Sequence, residues 1–434
     1  MNVIQYTILL IYGLFSIPIA ISAQSPIQKQ KGMLKLNSNE TFNFEMLRVL
    51  GMARTYGSDI AEVLTIAEKI IPGDFESWYN EFIGLADHIN ATLPDSAHPV
   101  SLRNALFRAS NYYRSADFFL HGNPNDPRID EIWKKQQICF DKAIALIDVP
   151  GERIEIKTTT FRIPAIIYRP FNDSKLRPTL LLCNGYDGSQ EEMLHVFGFG
   201  ALERGFNVIT FEGPGQPTVV REQKIGFIAE WEKVVAPVVD YCQSLNYVDT
   251  TKIVLLGYSF GGFLAPRAAT KEHRLAAVAC VDGLFDIFKA FSKSFPQALQ
   301  QLHDEKKKEA FDNIVHEAMR DKVNIQLRWG VEQGCWAFCT NSPYEFLEKT
   351  REMSMKNIVH NIQCPILVCE AESDHFFAGQ PQQLADAIGT NATYMKLTSA
   401  DSAQEHCHVG ATDFATAKIM DWIEGILGLN GYKR

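Results

Sequence analysis

A serine hydroxyl becomes a useful nucleophile only when a neighbouring base takes its proton and an acid orients that base. The pentapeptide Gly257-Tyr258-Ser259-Phe260-Gly261 stands between the apolar run Ile253-Val254-Leu255-Leu256 and the small-residue stretch Gly262 to Ala269. That order predicts a strand, a sharp turn and a helix, in which the glycines permit a tense bend that lifts Ser259 above the end of a sheet. Ser259 is the expected nucleophile. In sheets carrying such a turn the acid and then the histidine follow in chain order. The strand-like run Ile366 to Cys369 leads into Glu370-Ala371-Glu372-Ser373-Asp374, and after one more strand Glu405-His406-Cys407-His408 is read as opening the last helix. Asp374 is the first choice of acid, with Glu372, Glu370 and Asp282 as alternatives. His406 is the first choice of base, with His408 as the alternative. An acyl-transfer site also needs N–H groups aimed at the developing oxyanion. The backbone of Phe260 offers one, and that of Tyr186, in the loop Asn184-Gly185-Tyr186-Asp187-Gly188, offers the other.

The elements that must position these groups fall into two regions. After an expected leader (residues 1–23) and a polar linker (24–40), residues 41–150 carry helical periodicity and almost no strand signal. Asp59 and Asp74 stand where helix N-caps belong, and the turn from Gly122 to Pro127 separates two further helices, about Ser101 to Leu120 and Arg128 to Leu146. Residues 151–434 alternate short β-rich runs with amphipathic helices. The runs are Ile154 to Thr160, Pro164 to Tyr168, Thr179 to Cys183, Phe206 to Phe211, Ile253 to Leu256, Ala276 to Val281, Ile366 to Cys369 and Thr393 to Leu397. Such alternation predicts an α/β fold with a mostly parallel sheet covered by helices. A helical insertion at about 286–359, too long for a simple crossover, is expected over the carboxyl ends of the strands, where open sheets bind ligands.

Composition narrows the function classes. With 434 residues, 46% hydrophobic and 21% charged, the chain can bury a large core. A net charge of -9 removes the attraction that a phosphate backbone requires, so no nucleic-acid partner is expected. No G-x-G-x-x-G occurs, since Gly198-Phe199-Gly200 continues to Glu203, and neither a nucleotide nor any other cofactor is indicated. Cys335 and Cys339 have no second pair near them, and His406-x-His408 lacks a third ligand at metal spacing, so no metal is expected. Cys183, Cys280 and Cys369 lie inside strand-like runs, where a thiol behaves as a small hydrophobe. Val3 to Ala23 holds no charged side chain and ends in small residues, as a secretory signal peptide cleaved after Ala23 does, with an uncleaved membrane anchor as the rival. Asn39, Asn90, Asn172 and Asn391 begin N-x-S/T triplets and are candidate glycosylation sites in a secreted or secretory-pathway protein.

Several ordered blocks carry a resemblance. They are Arg108-Ala109-Ser110-Asn111-Tyr112-Tyr113-Arg114 with Phe118-Phe119-Leu120-His121-Gly122, then Asp187-Gly188-Ser189-Gln190-Glu191-Glu192, Phe211-Glu212-Gly213-Pro214-Gly215-Gln216, the serine pentapeptide, and Glu405-His406-Cys407. Together they are similar to the α/β-hydrolase family of 2,6-dihydroxypseudooxynicotine hydrolase and the fungal prefusarin hydrolases. The resemblance implies an α/β-hydrolase fold with an N-terminal helical cap, the triad Ser259, Asp374 and His406, and no metal or organic cofactor. The chain departs from the family pattern at His408, where glutamine is expected. Three function classes stay open: a serine hydrolase cleaving an ester, a lactone or a carbon-carbon bond beside a carbonyl in a medium-sized apolar metabolite of polyketide type; a cyclase or condensation catalyst on a polyketide-amino acid precursor; and a silent binding module. Tyr112, Tyr113 and Arg114 are the cap residues expected to touch substrate, and Trp231, Trp329 and Trp336 are expected in the core or the pocket wall.

Overall fold

Eight β-rich runs predict eight strands, and the computed structural model, which describes residues 33–429 except 95, 294 and 321–323, joins all eight in one sheet. They are β1 (Glu152–Lys157), β2 (Arg162–Tyr168), β3 (Arg177–Cys183), β4 (Asn207–Phe211), β5 (Val248–Tyr258), β6 (Ala277–Val281), β7 (Ile366–Ala371) and β8 (Ala392–Leu397). Their order is β1-β2-β4-β3-β5-β6-β7-β8. β2 runs antiparallel to β1 and β4, and every other neighbouring pair is parallel. Every residue of β4 and β6 is buried, so helices cover both faces at the middle of the sheet. Cys183, Cys280 and Cys369 are wholly buried in β3, β6 and β7, as small hydrophobes. From β3 the chain turns first to β4 on one side and then crosses to β5 on the other. The carboxyl ends of β3 and β5 therefore flank the point where the winding reverses, which opens a crevice there.

The N-terminal region is helical as expected: α1 (Glu40–Leu50), α2 (Ile60–Ala67), α3 (Phe75–Thr92), α4 (Pro99–Asp117) and α5 (Pro127–Ile144). Asp59 and Asp74 cap α2 and α3 by accepting backbone N–H groups, and Asp126 caps α5 ahead of Pro127. Aromatic rings weld the cap together. Phe42 lies 4.9 Å from Trp78 and 5.0 Å from Phe119, and the Trp78 indole N–H donates to Ser115 O at 2.7 Å.

Around the sheet stand α6 (Gln190–Met193), α7 (Phe199–Glu203), α8 (Pro217–Gln223), α9 (Glu232–Gln243) and α10 (Gly261–Ala269). The insertion supplies α11 (Ile287–Ser292), α12 (Gln297–Asp304), α13 (Lys308–Arg320), α14 (Ile325–Ala337) and α15 (Pro343–Lys349), and α16 (Gln380–Ile388) and α17 (Thr412–Ile426) complete the chain. His406–His408 forms a short turn of its own rather than the start of α17, because Cys407 (φ 53°), His408 (φ 58°) and Gly410 (φ 86°) lie in the left-handed region and interrupt a right-handed helix. Asn39 is the N-cap of α1, its Oδ1 accepting the Phe42 N–H at 3.1 Å, whereas Asn90, Asn172 and Asn391 are exposed. The expected leader, residues 1–23, lies outside the described residues, as does most of the linker. No helix among the described residues is long and apolar enough to cross a membrane.

Candidate active site

β5 delivers Ser259 to the crevice through a bend that only small neighbours allow. A Cβ on Gly257 would sit 2.0 Å from the Gly261 carbonyl oxygen, so any larger residue would force the strand and helix apart. Ser259 itself has φ 58°, a left-handed conformation unusual for a side chain with a Cβ, and its N–H donates to the Val281 carbonyl of β6. The hydroxyl is thereby held at the mouth of the turn, half-buried.

The structure brings His406 and Asp374 to this serine. Ser259 Oγ lies 2.9 Å from His406 Nε2, and His406 Nδ1 lies 2.9 Å from Asp374 Oδ2. Asp374 Oδ1 also accepts the N–H groups of Phe376 and Phe377, at 2.8 and 3.0 Å. Burial by itself would push this carboxyl up, but His406 and the two amides outweigh it and hold the pKa at about 2. Burial also disfavours the charged imidazole, yet Asp374, Cys407 and Asp282 overcome that and raise His406 well above an ordinary histidine. Rings of Phe376 and Phe377 pack 5.0 and 5.3 Å from the His406 ring.

The alternatives separate by geometry. Glu370 accepts from Tyr394 Oη and Lys396 Nζ, and Glu372 accepts the Ser399 N–H, so both are engaged away from His406. His408 is fully buried, with Nδ1 2.9 Å from the Ala403 carbonyl oxygen, and takes no part in the contact with Ser259. Asp282 differs from these: its Oδ2 is 3.2 Å from His406 Nδ1 and accepts the Cys407 N–H at 2.8 Å. His406 thus faces two acids. Asp282, His406 and Cys407 also bring three potential metal-ligand atoms within 4.8 Å. Both imidazole nitrogens already face Ser259 and Asp374, and an ion there would compete with that chain.

Gly185 packs the loop after β3 onto the turn. A Cβ there would meet Tyr258 O at 2.7 Å and Phe260 N at 2.8 Å, so this backbone reaches the elbow only as glycine. Among the described residues neither the Phe260 nor the Tyr186 amide donates to a protein acceptor. Two contacts from α14 clamp the loop: Tyr186 Oη donates to Gly330 O at 2.7 Å, and Gln333 Nε2 donates to Tyr186 O at 2.8 Å.

Above Ser259 and His406 opens a cavity of about 390 Å³. Its wall is aromatic, with Phe44 from α1, Phe291 from α11, Trp329 from α14, Phe346 from α15, and Phe376 and Phe377. The inserted helices do roof the carboxyl ends of the strands. Of the tryptophans singled out, Trp231 is core, Trp329 is cavity wall, and Trp336 stacks on His121 at 4.9 Å.

The expectation that Tyr112, Tyr113 and Arg114 touch substrate is corrected here, because none of them lines the cavity. Tyr112 and Tyr113 are 0% and 1% exposed inside the cap, where they donate to Glu62 at 2.8 Å and Asp87 at 2.6 Å. Their rings are spent on packing the cap helices. Arg114 lies behind the cavity, 3.6 Å from Asp187 and 3.7 Å from both Glu45 and Glu192. Cap residues that do reach the cavity are Phe44, Glu45 and Arg48 of α1, which sequence reasoning missed. Their signal is two charged residues, Glu45 and Arg48, among the buried Thr41, Phe42, Phe44, Met46 and Val49 of the same helix. Arg48 grips Glu192 through Nε at 2.6 Å and Nη2 at 2.8 Å and reaches Asp187 at 2.9 Å, tying the cap to the sheet region.

Comparison with known proteins agrees with this architecture. Residues 180–397 match the model of the alpha/beta hydrolase family. The chain is 32% identical to the 20-hydroxy-prefusarin hydrolase FUS2 of Gibberella moniliformis over 392 residues, 87% of this chain and 91% of that one. It is 31% identical to hydrolase LUC6 of a Fusarium species, across 85% of this chain and 89% of the relative. Its fold matches the crystal structure of 2,6-dihydroxy-pseudo-oxynicotine hydrolase with a TM-score of 0.66 at 19% identity, covering 87% of this chain and 95% of the other. The chain belongs to the alpha/beta hydrolase family and is an enzyme of that family.

Proposed function

We propose that the chain is a serine hydrolase that cleaves an ester, a lactone or a carbon-carbon bond beside a carbonyl in a medium-sized, largely apolar metabolite of polyketide type. The observation that carries this reading is the unbroken contact chain from Ser259 Oγ through His406 to Asp374, at 2.9 Å each, under an aromatic cavity of about 390 Å³. A cavity of that size suits a small molecule rather than a polymer. Similarity to a 20-hydroxy-prefusarin hydrolase supports the substrate class.

In the proposed cycle His406 Nε2 takes the Ser259 proton as Oγ adds to the carbonyl carbon. The Phe260 and Tyr186 N–H groups hold the oxyanion, and Asp374 holds the imidazolium. The imidazolium then returns its proton to the leaving oxygen or carbon as that bond breaks. Water attacks the acyl-serine by the same route, releasing the acid and restoring Ser259.

Labelling with a fluorophosphonate tests the nucleophile: Ser259 is expected to be modified in the folded protein, and no label on it refutes the reading. Turnover in oxygen-18 water is expected to place label in the product, whereas an unlabelled product would assign cyclisation. The apolar segment before Gln24 is proposed to direct the chain into the secretory pathway. N-terminal sequencing of secreted protein should then begin at Gln24, and a glycosidase should sharpen its migration through loss of glycans at Asn39, Asn90, Asn172 or Asn391.

A further inference from the structure

Part of the cavity lining is charged, in contrast to its aromatic wall. It comprises Glu45 and Arg48 from α1 and Asp187 from the loop after β3, with Arg114 from α4 and Glu192 from α6 directly behind. These five groups are two cations and three acids, and their contacts are unequal. Arg48 spends Nε and Nη2 on Glu192 at 2.6 and 2.8 Å and Nη1 on Asp187 at 2.9 Å, while the same Nη1 stands 3.4 Å from each oxygen of Glu45. Arg114 approaches Glu45 only to 3.7 Å. Glu45 is therefore the acid with the loosest pairing, 3% exposed and held by Arg48 at 3.4 Å and Arg114 at 3.7 Å. A buried carboxylate in that position is costly unless it keeps its proton.

We propose that Glu45 is the specificity-determining residue of the cavity: its proton-bearing carboxyl donates a hydrogen bond to an uncharged carbonyl, amide or hydroxyl at the far end of the substrate, and substrates with a carboxylate there are rejected. The charge count gives the selection rule. With Glu45 neutral, Arg48 and Arg114 balance Asp187 and Glu192 in charge; Arg48 is engaged by both acids, and Arg114, whose Nη2 has only ion-pair contacts at 3.6 and 3.7 Å, stands behind the cavity and does not line it. A substrate carboxylate would bring an uncompensated charge into this group, whereas a neutral acceptor finds a donor waiting. The groups facing Glu45 are Arg48 on its own helix, Arg114 on α4, Asp187 on the loop after β3 and Glu192 on α6; burial outweighs the two arginines and places its pKa at about 7. Donation should therefore fade as pH passes neutrality.

The proposal rests on the cavity being the substrate site, and binding without turnover separates the two ideas. Ser259→Ala protein is titrated by calorimetry with two ligands of one shape, the p-nitrophenyl monoester of adipic acid and the p-nitrophenyl ester of its monoamide. The amide ester is expected to bind the more tightly at pH 6, and its Kd to rise about tenfold by pH 8.5, the scale of one neutral hydrogen bond. In Ser259→Ala/Glu45→Gln, where the donor cannot ionise, the Kd should stay flat. A pH-independent Kd in the single variant, an equal rise in the double variant, or equal binding of the two esters overturns the proposal. Infrared difference spectra of Ser259→Ala give a check that needs no change at Glu45. A protonated-carboxyl band should be present at pH 6, shift on binding the amide ester and vanish by pH 8.5, and its absence at pH 6 overturns the assignment. Failed fluorophosphonate labelling of wild-type protein would instead refute the hydrolase reading and leave these binding results standing.

Discussion

His406 Nδ1 stands between two carboxylates, and replacing each by its amide should expose how they share the work. Asp374 Oδ2 is 2.9 Å away and Asp282 Oδ2 is 3.2 Å away. At an effective dielectric of about 20, unit charges at these separations attract an imidazolium by about 6 and about 5 kcal/mol, so either anion alone keeps nearly half of the field. Where a single acid serves the histidine, its amide costs on the order of 10⁴ in kcat because the ring settles in the wrong tautomer. Here Asp282 remains to accept the Nδ1 proton, and Asp374→Asn should lose on the order of 10² rather than 10⁴, converting to about 3 kcal/mol. Asp282→Asn should lose about tenfold, since Asp374 is closer and is itself braced by the Phe376 and Phe377 amides. The double variant should fall by on the order of 10⁴, more than the two losses multiplied, because neither acid is left to cover for the other. Each single change also removes a negative neighbour, so the His406 pKa drops and the rising limb of kcat against pH moves to lower pH. The assay is kcat on a p-nitrophenyl ester from pH 5 to 10, with circular dichroism to confirm folding. The reasoning is refuted if Asp374→Asn alone falls to the level of Ser259→Ala, or if Asp282→Asn costs the more of the two.

Three further outcomes follow from contacts already described. Gly185→Ala would place a Cβ 2.7 Å from Tyr258 O and 2.8 Å from Phe260 N; kcat should fall on the order of 10² with little change in KM, because the shifted loop misplaces one oxyanion donor. Arg48→Met strips Glu192 and Asp187 of the nearer of the two cations they share, and denaturant unfolding should show a loss of about 3–5 kcal/mol; a loss below about 1 kcal/mol would mean that the cap is not anchored there. Glu45 has a folded pKa of about 7 against an ordinary 4.5, so the stability it contributes is full below pH 4.5 and is lost as pH rises through 7. Thermal melts of Glu45→Gln should therefore match wild type at pH 4.5 and exceed it at pH 8, and the reverse order would contradict a neutral buried carboxyl.

The eight strands, the helical cap, the insertion and the serine turn are legible in the sequence because each is written in local terms. Period-2 and period-3.6 apolar patterns, N-cap aspartates and the two glycines flanking Ser259 need no distant partner to be read. The choice of His406 over His408 is not local, since two residues of the same type lie two positions apart. Folding separates the two, placing the His406 ring 2.9 Å from Ser259 Oγ and the His408 ring against the Ala403 carbonyl, with left-handed backbone at Cys407 and His408 between the strand end and α17. Tyr112 and Tyr113 mislead in the opposite direction, because an aromatic pair on a helix has the same composition whether it packs the cap or lines a pocket.

Sequence alone determined the fold class and the order in which the candidate serine, acid and histidine arrive, because a serine turn between strand and helix and the residues that follow it are fixed by neighbours along the chain. Tertiary structure decided the company each group keeps: two acids on one imidazole, the loop after β3 clamped by Gly330 and Gln333 of α14, and Glu45 loosely paired beside an aromatic cavity. Those relations join residues as much as 147 positions apart. Burial and charge balance act through space, so they could be read only once the cap, the sheet and the insertion were closed around one crevice.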